Sequence, residues 1–107
     1  MLKINSSFPT INDSWNQSLI EYRVKLLTVE PITIKGGESK MVLTNCMIEE
    51  DCELSMYLKA NPDLNLVFEE RFLFPLKQTV AVKLSNVDAK LKKIPEFFCI
   101  GYLIITH

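Results

Sequence analysis

The stretch Leu19-Ile20-Glu21-Tyr22-Arg23-Val24-Lys25-Leu26 decides the fold. Ile20, Tyr22, Val24 and Leu26 alternate with Glu21, Arg23 and Lys25, the period of two that sets one face of a strand on a core and the other in water. A helix through Ile20, Val24 and Leu27 is the competing reading, and its β-branched and aromatic residues weigh against it. The segment reads as a strand, and the same period recurs downstream.

Ile32 and Ile34 precede Gly36-Gly37, a pair suited to the positive φ angles of a tight hairpin, so a hairpin is predicted there. On the return strand, Val42, Thr44, Cys46 and Ile48 share one face while Met41, Leu43 and Met47 share the other. With both faces apolar, this strand is expected inside a sandwich or at an interface. Cys52, Leu54, Met56 and Leu58 repeat the alternation as a half-buried strand. Asn61-Pro62-Asp63 marks a turn, because proline fixes φ while Asn and Asp bond to nearby amides. The short apolar bursts Leu64 to Phe68 and Phe72 to Phe74, followed by Pro75, predict a bend or a crossing between sheets. Val80, Val82 and Leu84 form a further strand, Ser85 to Asp88 a turn, and Lys90, Lys92 and Lys93 a solvated connection. Residues 97–106 read as the closing, most buried strand.

Seven or so short strands without a long helix define an all-β single domain over residues 19–107: a jelly roll, another two-sheet sandwich, or a small β-barrel. No internal repeat is visible. Residues 1–18 are read as an irregular N-terminal arm or long loop. From residue 5 onward the arm is rich in Asn, Ser, Thr, Asp and Pro, which favour local side chain to backbone bonds. Trp15 in that arm reads equally as an anchor on a neighbouring subunit and as a cover for the chain's own core, and Phe8 joins it as an interaction candidate.

Composition then restricts function. At 107 residues and 48% hydrophobic the chain carries enough apolar material to fold, with a surplus suited to covering by copies of itself. A net charge of -1 supplies no field to draw phosphate backbones or anionic lipid, so nucleic acid is not an expected partner. The longest apolar run is about half of the roughly 20 residues a spanning helix needs, so no membrane role is expected. The first residues lack the apolar stretch of a signal peptide, which removes the secretory meaning of the Asn-x-Ser triplets at Asn5, Asn12 and Asn16. Cys46, Cys52 and Cys99 match no zinc or redox spacing and read as ordinary buried thiols in a reducing compartment.

Catalytic chemistry finds little to work with. The single histidine, His107, is terminal, so a Ser-His or Cys-His pair would depend on a frayed residue. Glu49, Glu50, Asp51 and Glu53 are nearly consecutive rather than spaced like a calcium loop, and read as a solvated turn. Gly36-Gly37 is followed by neither the Lys-Ser/Thr pair nor the helix of a phosphate-binding loop. Lys77, Lys83, Lys90, Lys92 and Lys93 lack the interleaved aromatics of a nucleic-acid surface. The stripe Met41, Met47, Met56, Phe68, Phe72, Phe74, Phe97 and Phe98 is divided between two readings, core and subunit interface.

From about residue 32 to 106 the order of features resembles a degenerate dUTPase-like β-barrel. Ile32-Thr33-Ile34-Lys35-Gly36-Gly37-Glu38 is similar to that family's early strand and turn. Val80-Ala81-Val82-Lys83-Leu84-Ser85-Asn86 is similar to its late strand ending in Asn, and Ile94 with Ile100-Gly101-Tyr102-Leu103-Ile104-Ile105 to its closing segment. Where the family carries its water-activating Asp and nucleoside-stacking Tyr, residues 69–78 hold Phe74-Pro75-Leu76-Lys77 instead. The phosphate-contacting Arg-Ser element is missing, as is a glycine-rich C-terminal arm. The resemblance therefore implies the scaffold and its trimeric habit without the triphosphate chemistry.

The expectation is a non-enzymatic structural or assembly protein without cofactor or metal: a capsid-associated viral subunit, intracellular or in the virion. It would self-associate and dock on a larger protein assembly through Phe8, Trp15, Met41, Met47, Phe72 and Phe74. The alternatives are a nucleotide-binding or dUTPase-related module, and a small inhibitor or adaptor that adds a strand to a host protein.

Overall fold

A computed structural model describes residues 2–4 and 21–106, and every described element is a β-strand. In chain order they are β1 (Leu2–Ile4), β2 (Glu21–Leu27), β3 (Ile32–Ile34), β4 (Ser39–Ile48), β5 (Ser55–Ala60), β6 (Val67–Phe68), β7 (Arg71–Leu73), β8 (Gln78–Ser85), β9 (Lys92–Ile94) and β10 (Cys99–Thr106). A first sheet has the order β1-β4-β8-β6 and a second β2-β10-β5-β7, while β3 and β9 pair as a two-stranded ribbon. No barrel closes among these strands. The all-β, single-domain expectation holds.

Alternation builds the core. Leu26 of β2, Met56 and Leu58 of β5, and Leu103 and Ile105 of β10 point inward from the second sheet. They meet Val42, Cys46 and Ile48 of β4 and Val80, Val82 and Leu84 of β8, all at most 2% exposed. The crossing read from Pro75 and the apolar bursts is present as β6 to β7, one strand in each sheet. Between them the Glu69 amide donates to Lys83 O (3.0 Å) and the Glu70 carboxylate accepts from the Ala60 amide (2.9 Å). At Gly101 a Cβ would lie 2.5 Å from Lys59 O and 2.7 Å from the Phe68 ring, so close approach of two neighbours demands glycine.

Several sequence expectations need correction. Gly36-Gly37 does not close a hairpin: β3 pairs with β9 and β4 with β8, so the turn is a corner that sends the chain from the ribbon into the first sheet. Only Gly37 takes positive φ, at 78°. The Lys90 to Lys93 connection contains β9, whose Ile94 is buried. Leu2–Ile4, read as part of the arm, instead pairs in parallel with β4 and buries Ile4. Residues 52–54 precede the strand expected there, because Asp51 and Pro75 hold that loop: the Lys77 amide donates to Asp51 Oδ1 and the Cys52 amide to Pro75 O.

A structural repeat is present where none was read. β2, β3 and β4 correspond to β8, β9 and β10 about an axis through the Thr33–Lys93 pair, because Ile32 faces Ile94 just as Ile34 faces Lys92. The halves interlock, since β2 pairs with β10 and β4 with β8. Each half's corner is clamped by the residue that follows a strand of the other. The Gly37 amide donates to Asn86 O, the Asn86 amide to Glu38 O, and Asn86 Nδ2 to Ile34 O. In the second corner the Phe97 amide donates to Thr28 O, the Thr28 amide to Phe98 O, and Thr28 Oγ1 to Pro95 O.

Candidate functional site

The outward faces of the two sheets hold most of the residues singled out in the sequence. On β4, Met41 and Leu43 point to solvent, 61% and 56% exposed, opposite Lys83 and Ala81 of β8. Met47 is half-buried between Lys3 and Thr79, so the outer face of this strand, expected to be at least partly covered, is covered at that end. No described element lies over Met41 and Leu43.

On the second sheet the register aligns Arg23, Ile104, Tyr57 and Phe72 in one row across four strands. Ile104 belongs to this row rather than to the core and is still only 9% exposed. The Phe72 ring meets Tyr57 edge to face at 4.9 Å, which fixes it in place while leaving it 72% exposed. Phe74, two residues on, is 77% exposed. The Arg23 guanidinium lies 6.0 Å over the Tyr102 ring, at the limit of a cation–π contact.

Of the candidate anchors, then, Met41 and Met47 share one sheet, Phe72 lies on β7 of the other and Phe74 just beyond that strand; Phe8 and Trp15 lie outside the described residues. The methionine and aromatic stripe splits between its two readings. Met56 and Phe68 are core, whereas Met41, Phe72, Phe74 and Phe97 face water. Period two cannot make that division, because it reports alternation and not which outer faces are covered.

Sequence reasoning missed the second corner. Phe97 holds φ at 61°, a region L-residues other than Gly, Asn and Asp rarely enter, and its side chain is 68% exposed. Beside it opens a cavity of about 170 Å³, walled by Leu64, Leu66, Ile94, Pro95 and Phe98 and rimmed by Lys93 and Asp63. Lys92 lines it too, but its ammonium is held by Asp88 Oδ2 at 2.7 Å and Asn65 O at 2.5 Å. The only sequence signal for this corner was the spacing of Ile34 and Ile94, together with Val24-Lys25-Leu26 repeated as Val82-Lys83-Leu84.

Titration chemistry is muted. Burial pushes the Cys46 thiol up to about 11, and the neighbouring Cys99 thiol foremost raises the Tyr102 phenol above its ordinary value. Among the described residues no His, Cys, Asp or Glu side chains gather in threes as metal ligands, and no helix is long and apolar enough to cross a membrane. Comparison with protein-family models, curated proteins and solved structures finds no match to this chain.

Proposed function

We propose that the protein is a non-enzymatic assembly subunit that associates with copies of itself and with a larger protein assembly through the outer faces of its sheets. The observation that carries this reading is the exposure of Met41, Leu43, Phe72 and Phe74, each more than half in water. Covering such a side chain is worth about 1.5–3 kcal/mol, and Phe and Met are enriched at the centres of interfaces. A capsid-associated setting follows by analogy with other compact β subunits that tile shells. The stretches that carry the dUTPase-like resemblance are β3 with its corner, β8 with Asn86, and β9 to β10; that resemblance favours a trimer.

Size-exclusion chromatography with light scattering tests the reading at micromolar concentration. Wild type is expected to run as an oligomer, and Phe72→Ser/Phe74→Ser or Met41→Ser/Leu43→Ser to shift toward monomer with unchanged circular dichroism. A clean wild-type monomer would count against it.

A further inference from the structure

Corresponding corners of an interlocked repeat ought to solve the same backbone problem in the same way. The first does so with Gly37 at φ 78°, as sterics favour; the second puts Phe97 at φ 61°. Backbone bonds clamp the two corners alike, Gly37 N–H on Asn86 O and Phe97 N–H on Thr28 O with their return bonds, although the Glu38 amide closes on Lys35 O where the Phe98 amide turns to Thr28 Oγ1; glycine could hold the same positive φ at residue 97 without a Cβ. Nor does the Phe97 ring repay its conformation by burial, being 68% exposed. A rigidly clamped, strained and solvated aromatic is what a preorganised binding anchor looks like.

What the anchor fits is supplied on the same corner. Pro95 and Phe98 line the adjoining cavity while Phe97 does not, so anchor and cavity lie side by side. At about 170 Å³ this pocket, open to the surface, with an apolar wall and a polar rim, has room for one aromatic ring. The charges match as well: Glu96 adjoins the anchor and Lys93 rims the cavity, and neither has an ion-pair partner among the described residues. A surface with knob and hole adjacent, and opposite charges beside them, is self-complementary under a two-fold rotation.

We propose that Phe97 inserts into the cavity walled by Leu64, Leu66, Pro95 and Phe98 of a second copy, with Glu96 meeting that copy's Lys93, and the reverse contact formed at the same time. The contact deepens the assembly reading and rests on it; being two-fold, it joins copies in pairs and is a contact separate from the three-fold one that the resemblance favours.

Sedimentation velocity on the full chain tests it, with thermal unfolding in parallel at concentrations low enough to keep wild type and variant monomeric. Phe97→Gly is expected to raise the melting temperature and weaken association about tenfold or more. Glu96→Lys and Lys93→Glu each weaken it, and Lys93→Glu/Glu96→Lys together restore it, because both charges then change sign across the contact. If wild type does not associate, the assembly reading itself fails. If it associates and Phe97→Gly leaves the constant within twofold of wild type, only the corner contact is overturned. A lowered melting temperature for Phe97→Gly, or no recovery in the charge-reversed pair, also overturns it.

Discussion

Cys46 is wholly buried, and the absence of water around its sulfur is what moves its ionisation from the ordinary value of 9.0 to about 11. An unfolded chain would release that proton near pH 9 while the folded chain keeps it. The thiol's contribution is therefore complete below about pH 9 and is lost as pH rises toward 11, by roughly 3 kcal/mol for a shift of about two units. Urea unfolding at pH 8 and pH 10.5 should show that slope, and Cys46→Val should flatten it; an equal slope in the variant would remove Cys46 as its source. At this scale the sequence was partly legible. Burial was expected at all three cysteines, and only Cys46 is sealed: Cys52 lies in the loop before β5 and Cys99 opens β10, and both stay half-buried.

Strands were readable as elements because alternation is local, and β2, β4, β8 and β10 all lie where it recurs. Their partners were not readable, because pairing is non-local: the glycine pair that announces a turn cannot say whether its flanking strands pair with each other or with strands far along the chain. What distinguishes a corner from a hairpin here is Asn86, buried and bonded to Ile34 O, Lys90 O and the Asp88 amide. Asn86→Ala leaves all three without that partner and should cost about 2–4 kcal/mol, against about 1–2 for Thr28→Val, whose hydroxyl serves Pro95 O and the Phe98 amide. Denaturant midpoints will rank them. A smaller loss for Asn86→Ala would show that the first corner holds by other means.

For the molecule as a whole, an all-β single domain was legible from composition and period, and the repeat was not, since only Val-Lys-Leu and one isoleucine echo between the halves. Structure repeats there while side chains diverge, because the second corner and the first face different surroundings: Gly36 packs against the Asp88–Ala89 backbone, whereas its counterpart Glu96 is exposed. Among the described residues β2 pairs with β10 alone and β4 lies between β1 and β8, so neither β2–β4 nor β8–β10 completes a sheet from its own strands. Fragments 1–62 and 63–107 should each lack a β-sheet circular dichroism spectrum alone and regain it when mixed in equal amounts. Protected amides in either fragment by itself would contradict the interlock.

The reciprocal clasp bears on how fast the chain can reach its native state. Its joining ladders, β2 with β10 and β4 with β8, bring together residues far apart along the backbone, so the entropy of closing long loops must be met before those contacts reward it. Refolding is therefore expected on the order of milliseconds to seconds, the slow class of non-local β topologies.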